Sequence, residues 1–265
     1  MSGEGREKTT PAPQPAPHRS PVTGHRSPLP PFVRDDLDAL GFDLPDPLLD
    51  RLAEYLALLL ETNQRINLTA VRDVDEAWRR LIIDSLTPLP GLEDFTEGSR
   101  VSDVGSGGGL PGIPLAIARP DLAFTLLEST GKKARFLDQA AHDLALDNVT
   151  VLPMRAETAG QDPAHRERYD AAVCRAVGPM NVLLELCLPL VKPAGRLLAM
   201  KGPKARAELD AAGDAMDRLG AGELAVYDAY PERFDNDLVI IALDKDRATP
   251  KKYPRQPGLP KREPL

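Results

Sequence analysis

Cysteine is nearly missing from this chain of 265 residues: Cys174 and Cys187 are the only two. Both sit in apolar stretches, so buried free thiols are expected and a disulfide framework is excluded. Aromatic residues make up 5% of the chain, and its one tryptophan, Trp78, reads as a core residue before it reads as a base-stacking platform. The four histidines, His18, His25, His142 and His165, are scattered, and none stands at a metal-binding spacing. No metal site is therefore expected. Long apolar runs are also lacking, since Leu56 to Leu60 falls far short of the roughly 18 residues that cross a bilayer. The first residues carry charge and proline where a secretory signal needs an apolar stretch of about 7 to 15, so the cytoplasm is expected. Repeats with a period of about 20 to 50 residues are absent, which excludes solenoids, and no long heptad marks a dimer seam, so a monomer is expected.

What is present is 42% hydrophobic and 28% charged residues, the usual balance of a folded globular chain. The net charge of −7 argues against a surface built throughout for phosphate, yet the last 21 residues carry seven basic and two acidic side chains. Any contact with nucleic acid must then be local. Residues 1–31 hold eight of the 27 prolines and few large apolar side chains, and read as a disordered arm. Residues 32–97 read as a helical cap. Asp46-Pro47 looks like an N-cap and first helical position, opening an amphipathic helix through Leu48, Leu49, Leu52, Leu56, Leu59 and Leu60 to about Ile66. A second helix starts at Asp73, with Val74, Ala77, Trp78, Leu81 and Ile82 on one stripe.

Residues 98–244 alternate short apolar runs with helical segments, the signature of βαβ units around a parallel sheet. Seven strands are expected, at Arg100–Val104, Ala123–Leu127, Val149–Leu152, Tyr169–Cys174, Arg196–Met200, Glu223–Tyr227 and Leu238–Leu243. Helices are expected at Ile113–Ala118, Ala134–Leu146, Asn181–Leu190 and Lys204–Leu219. Residues 245–265 form a basic tail too rich in proline for regular structure.

The most informative segment is Val101 to Pro114, a strand that empties into a glycine-rich turn opening a helix. Gly107, Gly109 and Gly112 satisfy G-x-G-x-x-G, which alone is weak evidence for a dinucleotide site. Asp103 shifts the balance. A carboxylate at the strand end is poorly placed against a pyrophosphate, but suits S-adenosylmethionine (AdoMet), which carries an ammonium and a sulfonium and no phosphate. Glu128 ends the second strand, where either cofactor wants an acid to accept ribose hydroxyls, and so does not discriminate.

With those residues in hand, residues 47–265 resemble the bacterial 16S ribosomal RNA guanine-N7 methyltransferases, the RsmG or GidB family. The resemblance rests on Asn67-Leu68-Thr69, Asp84-Ser85, Asp103 through Leu115, Leu127-Glu128-Ser129, Gly131-Lys132-Lys133, Arg135-Phe136-Leu137, Arg155-Ala156-Glu157, Arg175-Ala176, Lys201-Gly202, and the tail Tyr253-Pro254-Arg255 with Gly258-Leu259-Pro260. It implies an α/β fold of the Rossmann-like class I methyltransferase type. That is a mostly parallel seven-stranded sheet with helices on both faces and an N-terminal helical cap. It also implies methyl transfer from AdoMet to N7 of a guanine in 16S rRNA, the family site being guanine 527, on free rRNA or the small ribosomal subunit. Family cofactor contacts fall on Gly105, Leu110, Ala156, Glu157 and Arg175. The chain departs from the family pattern at Leu81, where histidine is common, and at Asp235-Asn236-Asp237, where Glu-Arg-His is frequent.

Guanine N7 carries an exposed lone pair, so no general base is needed, and catalysis is alignment plus charge stabilisation. Arg175 is the expected residue at the methyl-transfer site, touching the guanine O6 or a phosphate, because N7 must stay free. Lys132, Lys133, Arg135, Arg155 and Lys201 are candidate rRNA contacts, and the basic tail is a candidate clamp. The residues alone leave open a same-fold methyltransferase for another substrate, an NAD-dependent oxidoreductase, and a non-catalytic ribosome-binding factor.

Overall fold

The computed structural model describes residues 29–234 and 236–265, so nearly all of the expected N-terminal arm lies outside the described residues. A helical layer comes first. Pro31 opens α1 (Pro31–Ala39), and α2 (Asp46–Asn63) buries Leu49, Leu52, Tyr55, Leu56 and Leu59 along the expected stripe. Pro45, not Asp46, is the N-cap of α2. Asp46 and Pro47 are its first helical residues, where proline's missing N–H removes nothing the helix needs, and the Asp46 carboxylate pairs with Arg34. Asp73 caps α3 (Val74–Ala77) by accepting from the Glu76 N–H at 2.9 Å. The chain then widens into a π-helical turn (Trp78–Ile83) before α4 (Asp84–Leu86). That wider turn departs from the simple amphipathic helix expected. Trp78, Leu81, Ile82 and Ile83 are all buried, more of the turn's circumference than a 3.6-residue period would bury.

The seven expected strands all form: β1 (Arg100–Val104), β2 (Ala123–Leu127), β3 (Val149–Leu152), β4 (Tyr169–Arg175), β5 (Val191–Lys201), β6 (Ala221–Asp228) and β7 (Val239–Lys245). Their order across the sheet is 3-2-1-4-5-7-6. The five strands from β1 to β5 pair in parallel, and β7 lies antiparallel between β5 and β6. The intervening helices are α5 (Gly112–Ala118), α6 (Gly131–Asp143), α7 (Ala156–Gln161), α8 (Met180–Cys187), α9 (Ala205–Asp210) and α10 (Gly213–Leu219). The single helix expected over 204–219 is therefore two, with the second starting at Gly213, the weakest helix former in a segment without proline.

Two apolar cores lie on the two faces of the sheet. One joins Val101, Phe124, Leu126, Ala171 and Val173 to α1, α2, the π turn, α5 and α6. The other joins Val104, Leu127, Ala172 and Cys174 to α7, α8, α9 and α10. Both cysteines are buried free thiols in the second core, and Trp78 belongs to the first. Strand alternation then fixes which side chains at the sheet's carboxyl edge look toward the N-terminal helices. Asp103 shares its face with Val101, and Arg175 shares its face with Ala171 and Val173.

The C-terminal tail differs most from the expectation. It is laid down against α7 and α8 and ends in a short helix, α11 (Leu259–Arg262). Its polar backbone is satisfied by side chains of the body, which is how a segment without ladder partners is held in place. Arg166 donates to the carbonyls of Gly160 and Tyr253, both at 2.7 Å, and of Thr249 at 2.6 Å. Arg255 forks onto Glu185, with Nε at 2.8 Å from Oε1 and Nη2 at 2.6 Å from Oε2, and the Arg255 N–H also donates to Oε1 at 2.8 Å. Pro254 sits so close to Gly160 that a Cβ there would meet Pro254 Cγ at 2.7 Å.

Glu185 is fully buried, and Arg255 is its only charged partner among the described residues, so removing Arg255 strands a carboxylate in the core. Arg255→Ala is expected to lower the unfolding free energy by about 3 kcal/mol, read from urea titration, with Glu185→Gln in the same background recovering part of the loss. A drop below about 1 kcal/mol would mean that the pair is a solvated surface contact and the tail only loosely attached.

Candidate cofactor and methyl-transfer site

At the carboxyl edge of β1 the chain turns through Gly105, Gly107 and Gly109 with φ of +76°, +58° and +95°, a left-handed path open to glycine without strain. The Leu127 carbonyl accepts from the N–H groups of Gly105 at 2.9 Å and Ser106 at 3.0 Å, tying the loop to β2. Gly112 is required for space: a Cβ there would stand 2.4 Å from Leu126 and 2.5 Å from Asp103 Oδ2.

Two carboxylates hold the turn. Asp103 is fully buried, and its Oδ2 accepts from the Gly112 N–H at 3.1 Å, at the start of α5. Its Oδ1 is shielded from solvent and has no partner among the described residues. Burial is the main cause that pushes the Asp103 carboxyl up to about 7. The charge of Glu128 raises it further, while Ser106 and the Gly112 N–H pull it down. Glu128 accepts from the Gly107 N–H at 3.0 Å and the Thr130 N–H at 2.6 Å, bridging the loop to the entry of α6. An acid from each of two adjacent strands therefore faces the glycine turn, as the sequence indicated. Asp103 is, however, a half-neutralised acid near pH 7 and not a fixed negative charge.

The N-terminal helices close over this turn. The Tyr55 hydroxyl of α2 donates to the Gly108 carbonyl at 2.6 Å, and Leu59 and Leu68 flank Gly108. Asn63 folds the Asn67-Leu68-Thr69 segment back onto α2, its Oδ1 accepting from the N–H groups of Leu68 and Thr69 at 2.9 and 3.0 Å. Tyr55 is a site residue that sequence reasoning missed, because a tyrosine in an apolar stripe looks like any other core side chain.

Arg175 leaves β4 level with Gly105, since Asp103 pairs with Val173 in register. Its Nη2 donates to the Arg80 carbonyl at 2.6 Å and lies 3.3 Å from Asp84 Oδ2. Its Nη1 is shielded from solvent with no partner among the described residues. The next residue, Ala176, holds φ of +54°, which is strained for a side chain with a Cβ.

The other candidates divide. Lys132 and Arg135 are exposed on the first turns of α6, Lys133 is half-buried beside them, and Arg155 is exposed just ahead of α7. All four stand at the carboxyl edge, and among the described residues none of their side chains enters an ion pair. Leu110 follows the glycine turn directly and is half-buried. Ala156 opens α7, and buried Glu157 accepts from the Gly258 N–H of the tail at 2.7 Å. Lys201 does not fit a role in contacting RNA. It is nearly buried, and its ammonium is spent on the Gly178 carbonyl at 2.5 Å and on Glu208 Oε2 at 2.6 Å, which tie β5 to the loop after β4 and to α9. Among the described residues no group of three His, Cys, Asp or Glu side chains is arranged to hold a metal ion, and no helix is long and apolar enough to cross a membrane.

Comparison with known proteins gives one consistent result. The family model GidB, described as rRNA small subunit methyltransferase G, matches residues 48–233. A ribosomal RNA small subunit methyltransferase G from Lactobacillus johnsonii is 42% identical over 237 residues, 89% of this chain and 99% of that protein. The protein of the same name from Moorella thermoacetica is 41% identical over 85% of this chain and 93% of its own length. The one from Alkaliphilus metalliredigens is 37% identical over 88% and 98%.

The state of Asp103 has a signature in stability. Its folded pKa lies above the unfolded value, so its ionisation opposes folding, and stability drains away as pH rises toward 7. Asp103→Asn keeps an oxygen for the Gly112 N–H and removes the charge. The stability gained by the variant over wild type is expected to be about 2 kcal/mol larger at pH 8 than at pH 5, by denaturant unfolding without ligand. A difference that does not change with pH would show that the carboxylate is not held in this state.

Proposed function

Since the chain belongs to the GidB family of rRNA small subunit methyltransferases, we propose that it methylates N7 of a guanine in 16S rRNA with AdoMet as donor. The observation that carries this reading is the buried Asp103 carboxyl beneath the glycine turn, with one oxygen unpartnered on the face that Arg175 shares. Such an oxygen asks for a cationic hydrogen-bond donor and disfavours a phosphate, and the residues present therefore fit AdoMet.

Bound there, AdoMet supplies a methyl group on a sulfonium, an electrophile that a ring-nitrogen lone pair attacks without losing a proton first. The work left to the protein is positioning and charge. Asp103 would accept from the donor's ammonium and become fully ionised in doing so. Glu128 retains lone pairs for ribose hydroxyls beside those used by Gly107 and Thr130. Gly105, Gly107 and Leu110 would line the cofactor's path, with Ala156 and Glu157 at its far end. Arg175 would meet the guanine at O6 or the adjoining phosphate, leaving N7 free.

Around this centre, Lys132, Lys133, Arg135 and Arg155 offer a phosphate track, and the helices before β1 serve as a cap over the carboxyl edge. The partner is 16S rRNA or the small ribosomal subunit, met in the cytoplasm by a monomer.

The test uses methyl-labelled AdoMet with naked 16S rRNA and with small subunits from cells lacking this enzyme. Label is expected in the rRNA at a guanine that becomes cleavable by borohydride and aniline, the chemistry specific for N7-methylguanine. Lys132→Ala with Arg135→Ala is expected to raise the apparent KM for RNA about tenfold and to flatten its dependence on salt. Label at another atom, or in no RNA, overturns the assignment.

A further inference from the structure

Asp84 comes from the junction between the π turn and α4, Arg175 from the end of β4, and Tyr230 from the loop between β6 and β7. These three side chains meet in one place. Asp84 is 6% exposed; its Oδ1 accepts from the Tyr230 hydroxyl at 2.6 Å, and its Oδ2 faces Arg175 Nη2 at 3.3 Å. The same Nη2 donates to the Arg80 carbonyl inside the π turn.

We propose that Asp84 and Tyr230 are positioning residues for methyl transfer, fixing the Arg175 guanidinium by its Nη2 beside the acceptor guanine and leaving its Nη1 donors uncommitted to the protein. The inference rests on the reading of Arg175 as part of the methyl-transfer site and extends it to two residues with no assigned role.

Three observations favour positioning over simple stabilisation. First, the guanidinium is held one-sidedly: Nη2 takes both the Arg80 carbonyl and the Asp84 carboxylate, whereas Nη1 is shielded and unpartnered among the described residues. An arginine serving only to lock two elements would place its donors on carbonyls all round, as Arg166 does with the tail. Second, burying Asp84 is unfavourable for its charge, and burial raises its carboxyl pKa even against the pull of Tyr230 and Arg175. A well-packed apolar group would stabilise this junction as well or better, so the ionic pair needs another reason to be there. Third, the arrangement stores strain at the neighbouring Ala176, whose left-handed backbone starts the loop that also covers Gly105. Tyr230 completes the device by preventing Asp84 from turning away from Arg175, since its hydroxyl holds the opposite oxygen.

The test is a double-mutant cycle, because a residue that acts through another loses its effect when the other is changed. Asp84→Asn keeps an oxygen for Tyr230 and sets an amide N–H group against the guanidinium. In the wild-type background it is expected to lower single-turnover methylation about 30-fold, with AdoMet affinity by calorimetry and RNA affinity measured without AdoMet each within about threefold. In an Arg175→Lys background the same change is expected to lower the rate less than threefold. Tyr230→Phe should follow the same pattern with a smaller loss, and it provides the cycle if Asp84→Asn does not fold. Independently of turnover, the Arg175 Nε–Hε resonance, assigned by its loss in Arg175→Lys, should be sharp in wild type and broadened in both variants. An Asp84→Asn effect of equal size in both backgrounds, or confined to melting temperature, overturns the proposal. If Arg175→Lys itself turns over normally, the placement of Arg175 at the methyl-transfer site fails first, and the relay fails with it.

Discussion

The site is organised by a carboxyl group that cannot reach water. Asp103 stands near the end of a central parallel strand, beneath the glycine turn and so close to Gly112 that a side chain there would meet its carboxyl. The Gly112 N–H satisfies one of its oxygens, and the other is left over. An unpaired oxygen in that position opposes folding and persists only where something else uses it. The same burial that raises its pKa would make a pocket there selective, because a ligand cation would relieve the group and a ligand phosphate would aggravate it. Much of the surrounding structure keeps that oxygen where it is. Glu128 draws the turn toward β2, Tyr55 presses it from above, and the apolar face shared with α5 excludes solvent.

The helices before β1 are part of this site and not an appendage to it. Tyr55 bonds the glycine turn directly, and Asp84 reaches across to Arg175 at the end of β4. One helical layer thus touches both the turn that covers the buried Asp103 carboxyl and the Arg175 guanidinium. The π turn makes this geometry available by bringing Arg80's carbonyl and Asp84's carboxylate to the same guanidinium nitrogen. On the opposite face of the sheet the tail is folded onto α7 and α8, and through Gly258 it holds Glu157, next to the expected far end of the cofactor.

The seven strands were legible in the sequence because β1 to β5, β6 and β7 each combine a short apolar run with a turn signal, and that pattern depends on neighbours in the chain. The glycine turn, Asp103 and Glu128 were legible for the same reason: their partners lie within the same βαβ unit. What the sequence hid depends on residues far apart. A proline-rich tail reads as irregular until Arg166 and Glu185 supply its hydrogen bonds from some 70 to 90 positions away. Lys201 reads as a free cation at a strand end until Glu208 and Gly178 consume it. Tyr230 carries no local mark at all, since its partner Asp84 is 146 residues distant. Lys132, Lys133, Arg135 and Arg155, by contrast, were legible as candidates despite the −7 net charge, because each follows directly on a strand end, before or at the start of α6 and α7.

The most direct test of Asp103 as counter-charge to a cationic donor is to count protons as AdoMet binds. Calorimetry at pH 7 in two buffers of different ionisation heat measures this without any turnover. A carboxyl poised near 7 and then ionised by the ligand must release about half a proton in wild type, and Asp103→Asn must lose that release. Equal proton exchange in the two proteins, or heat from NAD where AdoMet gives none, would contradict it.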